Sequence, residues 1–183
     1  MVEFDVVELA PADHPAVGEQ APDFERPLVG PEYWEDTALS DLTDEGPVVL
    51  VFHPMDGAFP TTYMYNEFRD RGWLPSTREG EDEDGEADDR AYELVGLSIS
   101  TPYEHKTLLE ERGVDARVFS DPANGVAESY GIANDLDGMA GVSEPRPAVF
   151  VLDGERVVQY AWVASEWPEF PDYDELGAAL DGL

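Results

Sequence analysis

Residues 53 to 70, "HPMDGAFPTTYMYNEFRD", collect an imidazole (His53), a carboxylate (Asp56) and a hydroxyl (Thr61) within nine positions. The stretch reads as the end of a buried strand, a Pro/Gly-rich loop and the first turns of a helix. A helix N-terminus favours negative charge and suits a thiolate nucleophile. Yet the chain has no cysteine, which removes disulfides, zinc–thiolate sites and every cysteine nucleophile together. Thr61, an internal residue, is a nucleophile only beside a general base, and His53 is the nearest in sequence. The competing readings are an N-cap for Thr61 and a packed or surface role for His53. His53 and Asp56 are two potential metal ligands for which the sequence offers no third, so neither a metal nor a cofactor is assigned. Phosphate-binding Gly-x-x-x-x-Gly-Lys, His-Glu-x-x-His and Gly-x-Ser-x-Gly patterns are absent.

The chain of 183 residues is long enough for one domain with a proper core, and 42% hydrophobic content argues for a globular fold despite the charge. Ten Lys and Arg face 42 Asp and Glu, a formal charge of −32, with Lys106 the only lysine. Self-repulsion of that size works against compactness in dilute buffer and is screened at 1 M salt, where the Debye length is about 3 Å. Acid excess with few lysines is similar to proteins of salt-accumulating halophiles; a specialised acidic partner-binder is the alternative. Nucleic acid is not an expected partner, because little here replaces phosphate counterions. The segment "MVEFDVVELAPADHP" carries Glu3, Asp5 and Glu8 where a signal peptide has basic and then apolar residues. The longest strongly apolar run, "VVLVF", is too short to span a bilayer. No membrane association and a cytoplasmic location are therefore expected.

These residues need positioning elements, and the pattern supplies them in order. "VGEQAPDFERPL" (17 to 28) predicts an extended segment, and "EYWEDTALSDL" (32 to 42) a partner strand running into a turn. "PVVLVFHP" (47 to 54) is a continuous β-branched run, the mark of a strand covered on both faces. A helix is predicted from about Thr61 to near Trp73, with Tyr65, Phe68 and Arg69 on one side. "STREGEDEDGEADDR" (76 to 90) reads as an acidic solvated insertion, and the EF-hand spacing fails there at Gly80 and Ala91. "YELVGLSIS" (92 to 100) predicts a second buried strand, followed by a helix capped by Thr101, opened by Pro102 and closed at Gly113. A short strand, turn and short helix follow in "ARVFSDPANGVAESYGI". A hairpin turning at Asp153 and Gly154 (147 to 163) and a C-terminal helix begun by Asp172 complete the order. Two parallel βα units followed by an antiparallel hairpin and a last helix predict an α/β thioredoxin-like sandwich. It spans 1–183 as a single domain with an N-terminal extension (1–16) and the acidic insertion.

At this point "VGEQAPDF", "PVVLVFHP", "NEFRD", "VGLSISTPYEHKTLLEERG", "VFSDPANGVAESYGI" and "RPAVFVLDGERVVQY" together resemble the peroxiredoxins, the alkyl hydroperoxide reductase and thiol-specific antioxidant superfamily. The closest type is the single-domain, bacterioferritin-comigratory-like one. The resemblance implies a peroxiredoxin-type three-layer sandwich with a central mixed sheet. It places the family's loop proline on Pro54, its loop threonine on Ala58, its peroxidatic cysteine on Thr61 and its arginine on Arg146. The resolving cysteine of that type falls on Asn66. The family's reaction needs a thiolate that becomes a sulfenic acid, and an alcohol has no such oxidation ladder.

The reading that follows is a cysteine-less family member without thiol peroxidase activity, keeping a binding or modulatory role. A guanidinium at Arg146 facing the helix start would leave a pocket for a small oxyanion or a peroxide-sized ligand beside Thr61; the alternative is a surface arginine paired with a carboxylate. Tyr63, Met64, Tyr65, Trp73, Trp162 and Trp167 are either core residues or a surface for a homodimer or redox partner. Two other functions stay open: an antioxidant oxidoreductase with a non-thiol centre, by a metal or a Met55 or Met64 sulfoxide cycle, and an acidic interaction or ion-buffering protein.

Overall fold

The computed structural model describes residues 6–74, 90–113 and 116–183. In chain order the elements are β1 (Val7–Glu8), β2 (Glu25–Val29), β3 (Trp34–Ala38), α1 (Leu39–Glu45), β4 (Val48–Phe52), α2 (Phe59–Asp70), β5 (Glu93–Ser98) and α3 (Pro102–Arg112). They continue with β6 (Arg117–Ser120), α4 (Gly125–Ser129), β7 (Ala133–Asn134), β8 (Glu144–Pro145), β9 (Ala148–Leu152), β10 (Val158–Val163), β11 (Glu166–Trp167) and α5 (Tyr173–Leu180). Seven strands form one mixed sheet in the order β10-β9-β4-β5-β6-β2-β3. The pairs β4/β5 and β5/β6 are parallel, and the remaining neighbours are antiparallel.

The continuous apolar run of β4 is explained by its central place. All five residues are fully buried, Val48, Leu50 and Phe52 facing one core and Val49 and Val51 the other. The first core is closed by Leu39 and Leu42 of α1 and Val126 and Ala127 of α4. Met64, Tyr65 and Phe68 of α2, Leu109 of α3, and Leu176 and Leu180 of α5 close the second. Helices on both faces of the sheet make three layers, the thioredoxin-like α/β sandwich that the element order implied.

Local signals set several boundaries. Thr101 precedes α3 and its N–H donates to Glu104 at 2.6 Å, while Gly113 ends the helix in the left-handed region at φ 60°. Asp172 caps α5 by accepting the N–H groups of Asp174 and Glu175. At the hairpin, Asp153 accepts the N–H groups of Glu155 and Val157, both at 2.9 Å. Two expectations need correction. Where a turn was read after β3 the chain forms α1, because Leu39 and Leu42 share a buried face and Asp41 accepts the Ala38 N–H at 3.3 Å. Helix α2 also starts before Thr61, at Phe59 with Ala58 in the cap position, so Thr61 is not the N-cap. Pro60 sits in its first turn, where a missing N–H costs nothing. The buried side of α2 is Thr61, Met64, Tyr65 and Phe68, whereas Arg69 pairs with Asp70 outside. The acidic segment expected over 76–90 lies, apart from Arg90, outside the described residues. Among the described residues no helix is long and apolar enough to cross a membrane.

Candidate functional site

Side chains alternate along β4, so Val49, Val51 and then His53 share the face covered by α2 and α3. The His53 N–H continues the ladder by donating to Leu97 O at 3.1 Å, and its ring stands edge-on to Tyr65, 5.4 Å between centroids. The chain then turns through buried Pro54 and brings Asp56 back beneath the strand end. His53 Nε2 and Asp56 Oδ1 are 3.0 Å apart.

A third residue completes the cluster. His105 enters from the start of α3, and its Nδ1 lies 2.7 Å from the other carboxylate oxygen of Asp56. Its Nε2 lies 3.1 Å from Phe119 O on β6. Both nitrogens of His105 thus face oxygen atoms, one of a carboxylate and one of a backbone carbonyl. Ser98 Oγ donates to Asp56 Oδ1 at 3.3 Å, and the Asp56 N–H donates to Ser100 Oγ at 3.0 Å. Both histidines are fully buried, and Asp56 is 9% exposed. The cluster therefore sits at the C-terminal ends of the parallel strands β4, β5 and β6, the edge where open α/β sheets place ligands.

Burial lowers the His53 pKa from its usual value, the Asp56 contacts opposing this in part. For Asp56, burial pushes the carboxyl up, but the hydrogen bonds from His105 and His53 overcome it and hold the group well below the usual carboxylate range. The result is a buried carboxylate between two imidazoles. Chemically it is a two-nitrogen, one-oxygen donor set, and as a proton-holding network it fixes both rings.

Thr61 is fully buried, and its hydroxyl donates to Met55 O at 2.7 Å. His53 Nε2 is meanwhile engaged by Asp56, so threonine and histidine do not form a nucleophile–base pair. Ala58 contributes no hydroxyl, and Asn66 is half-buried further along α2. Arg146 lies on the approach to β9, 4% exposed, with Nη1 donating to Ala10 O at 2.9 Å and Ala164 O at 3.2 Å. Among the described residues no hydrogen bond joins it to Thr61. It lines a cavity of about 370 Å³ with residues 8 to 12 and 163 to 166.

The sequence reading contained two members of the cluster and lacked the third. The signal for His105 lay in α3, whose buried positions are His105, Leu108 and Leu109, a helical stripe with an imidazole at a core position. Of the residues read as either core or contact surface, Met64 and Tyr65 belong to the core. Tyr63 is 62% exposed and forms a surface cluster with Phe59, Phe170 and Trp167.

The model of the AhpC/TSA family matches residues 17–161. The 2-Cys peroxiredoxin BAS1 of Spinacia oleracea chloroplasts is 24% identical over 158 residues, which cover 82% of this chain and 53% of the relative. The corresponding protein of Arabidopsis thaliana is 24% identical with the same coverage, so the chain spans about half the length of these curated relatives. Among solved structures, a reduced 2-Cys peroxiredoxin of Plasmodium vivax superposes with a TM-score of 0.67 at 19% identity, covering 90% of this chain and 80% of the other. Peroxidoxin BcpB of Mycobacterium tuberculosis gives a TM-score of 0.64 at 24% identity, covering 93% and 99%.

Proposed function

The chain belongs to the AhpC/TSA family, and from that premise we propose that it is a peroxiredoxin-fold protein that no longer reduces peroxide by thiol chemistry and keeps a binding or modulatory role. One observation carries this reading: the chain has no cysteine, and Thr61, which we take as the position of the family's nucleophile, is buried and bonded to Met55 O. An alcohol at a helix start stays protonated at neutral pH, and its oxygen has no sulfenic state to pass through. Proline 54 still shapes the loop, whereas Ala58 has lost the orienting hydroxyl. Arg146 gives its Nη1 to backbone carbonyls. Its Nε is buried without a hydrogen-bond partner among the described residues, so the guanidinium keeps donor capacity for a small oxyanion.

The charge of −32 and single lysine suit a cytoplasm of molar salt. The exposed cluster around Tyr63 supports self-association on the α2 side. A second reading, an antioxidant oxidoreductase with a non-thiol centre, is favoured by the His53, Asp56 and His105 cluster.

The experiment that tests the first reading restores the missing groups. Thr61→Cys with Ala58→Thr puts a thiol in the first turn of α2, where the helix terminus lowers its pKa. In molar KCl with a thioredoxin-type reductant, this variant should consume hydrogen peroxide at least about 10-fold faster than the natural chain. A variant that folds, carries a titratable thiol and gains no peroxide reactivity would show that the loop is not the family's site in disarmed form.

A further inference from the structure

We propose that His53, Asp56 and His105 form a binding site for one divalent transition-metal ion. This stands apart from the loss of thiol chemistry, since an ion is bound or not bound whether or not peroxide is reduced.

Three ligand atoms of the right kinds already converge. They are His53 Nε2, His105 Nδ1 and an Asp56 carboxylate oxygen, all within 4.8 Å of one another. Metal–ligand bonds of about 2.0–2.1 Å place neighbouring ligand atoms about 3 Å apart. His53 Nε2 lies 3.0 Å from Asp56 Oδ1 and His105 Nδ1 lies 2.7 Å from Asp56 Oδ2, so each ring meets its own carboxylate oxygen and an ion between the rings needs the His105 side to open by a few tenths of an ångström.

The surroundings are those of a supported centre. The Nε2 of His105 faces Phe119 O, which fixes the ring and aims Nδ1 at the centre, the role a carbonyl commonly plays behind a metal-bound imidazole. Ser98 bonds the carboxylate and Ser100 pins the Asp56 backbone, so the loop ligand is held from two further directions. Asp56, 9% exposed, is the outermost member and marks the side of entry.

An ion at His53 Nε2 replaces any proton held there, and His53 Nδ1, a buried ring position with no hydrogen-bond partner among the described residues, can carry it instead. Two imidazoles with one carboxylate suit Zn²⁺, Co²⁺, Fe²⁺, Mn²⁺ or Ni²⁺; the hard ions Ca²⁺ and Mg²⁺ prefer oxygen shells.

The test is titration of the chelator-washed full chain with Co²⁺ alone, in molar KCl so that surface carboxylates compete weakly. One equivalent should bind at micromolar concentration, with a visible d–d band. Outer-sphere changes alone cost 10–100-fold in affinity. Losing a ligand through His105→Gln or His53→Gln should therefore cost at least about 100-fold, while Asp135→Asn on the exposed loop leaves affinity unchanged. Binding weaker than millimolar, or unaltered in both histidine variants, overturns the site. Because either variant risks misfolding, X-ray absorption on the natural chain with one equivalent of Zn²⁺ gives a separate reading. Two imidazole nitrogens at about 2.0–2.1 Å support the proposal; a shell of oxygens alone overturns it.

Discussion

Asp56→Ala should destabilise the folded chain by about 3–5 kcal/mol, measured by denaturant unfolding in molar KCl. The variant leaves two fully buried imidazoles whose inward nitrogens have lost their acceptor, at 3.0 Å for His53 and 2.7 Å for His105. It also strands the hydroxyl of Ser98. The sign makes the result diagnostic. In a chain of net charge −32, deleting a carboxylate generally relieves repulsion. Asp137→Ala, on an exposed loop, should accordingly stay within about 0.5 kcal/mol of the natural chain.

The same cluster sets the acid limb of stability. The Asp56 carboxyl is depressed in the folded state, so its contribution is complete above the unfolded value of about 3.9 and is lost as pH falls through the lower folded value. The His53 pKa is lowered as well, so below about 6.5 the unfolded chain takes up a proton that the folded chain refuses, and stability falls further on acidification. Both act in one direction. The loss therefore begins near pH 6.5 and steepens below pH 4, and Asp56→Ala should flatten its lower part.

Gly96→Ala is the second large effect, with about 1–3 kcal/mol of destabilisation expected from overpacking. A Cβ on Gly96 would stand 2.0 Å from the Tyr65 hydroxyl, 3.2 Å from Val118 and 3.3 Å from the His53 ring. The glycine is required by this close approach, since the hydroxyl of α2 occupies the space of the side chain that β5 omits. Tyr65 is fully buried and its hydroxyl has no hydrogen-bond partner among the described residues. Burial raises its pKa far above the usual tyrosine range, the Asp56 charge adding to this. Removing an unsatisfied buried hydroxyl is close to neutral or stabilising. Tyr65→Phe should therefore cost less than about 1 kcal/mol and, combined with Gly96→Ala, recover most of the loss. Additive losses in the double variant would mean that the clash lies with Val118 or His53 instead.

The sequence made the scaffold legible because its central strands are continuously apolar and its helix caps are local. "PVVLVF" is apolar at every position since β4 is covered on both faces, and the caps at Thr101 and Asp172 mark their helices locally. The turn read after β3 was a helix because only Leu39 and Leu42 carry its apolar stripe over two turns. The chemistry was less legible. His53 and Asp56 are three residues apart and were visible together, whereas His105 is separated by strand β5 and meets them only through the parallel β4/β5 pairing and the crossover into α3. No local pattern encodes that meeting. Thr61 was read as an N-cap, but it lies inside the first turn of α2, and its partner Met55 O is a backbone group that only the loop's path brings within reach.

The measurement that bears most directly on the account is peroxide consumption by the natural, chelator-washed chain in molar KCl with a thioredoxin-type reductant. With Thr61 hydrogen-bonded to Met55 O and no thiol present, the rate should equal that of buffer and reductant alone. Sustained, reductant-dependent turnover by the natural chain would contradict the loss of peroxidase function and move the reaction to a centre other than the family's thiol position.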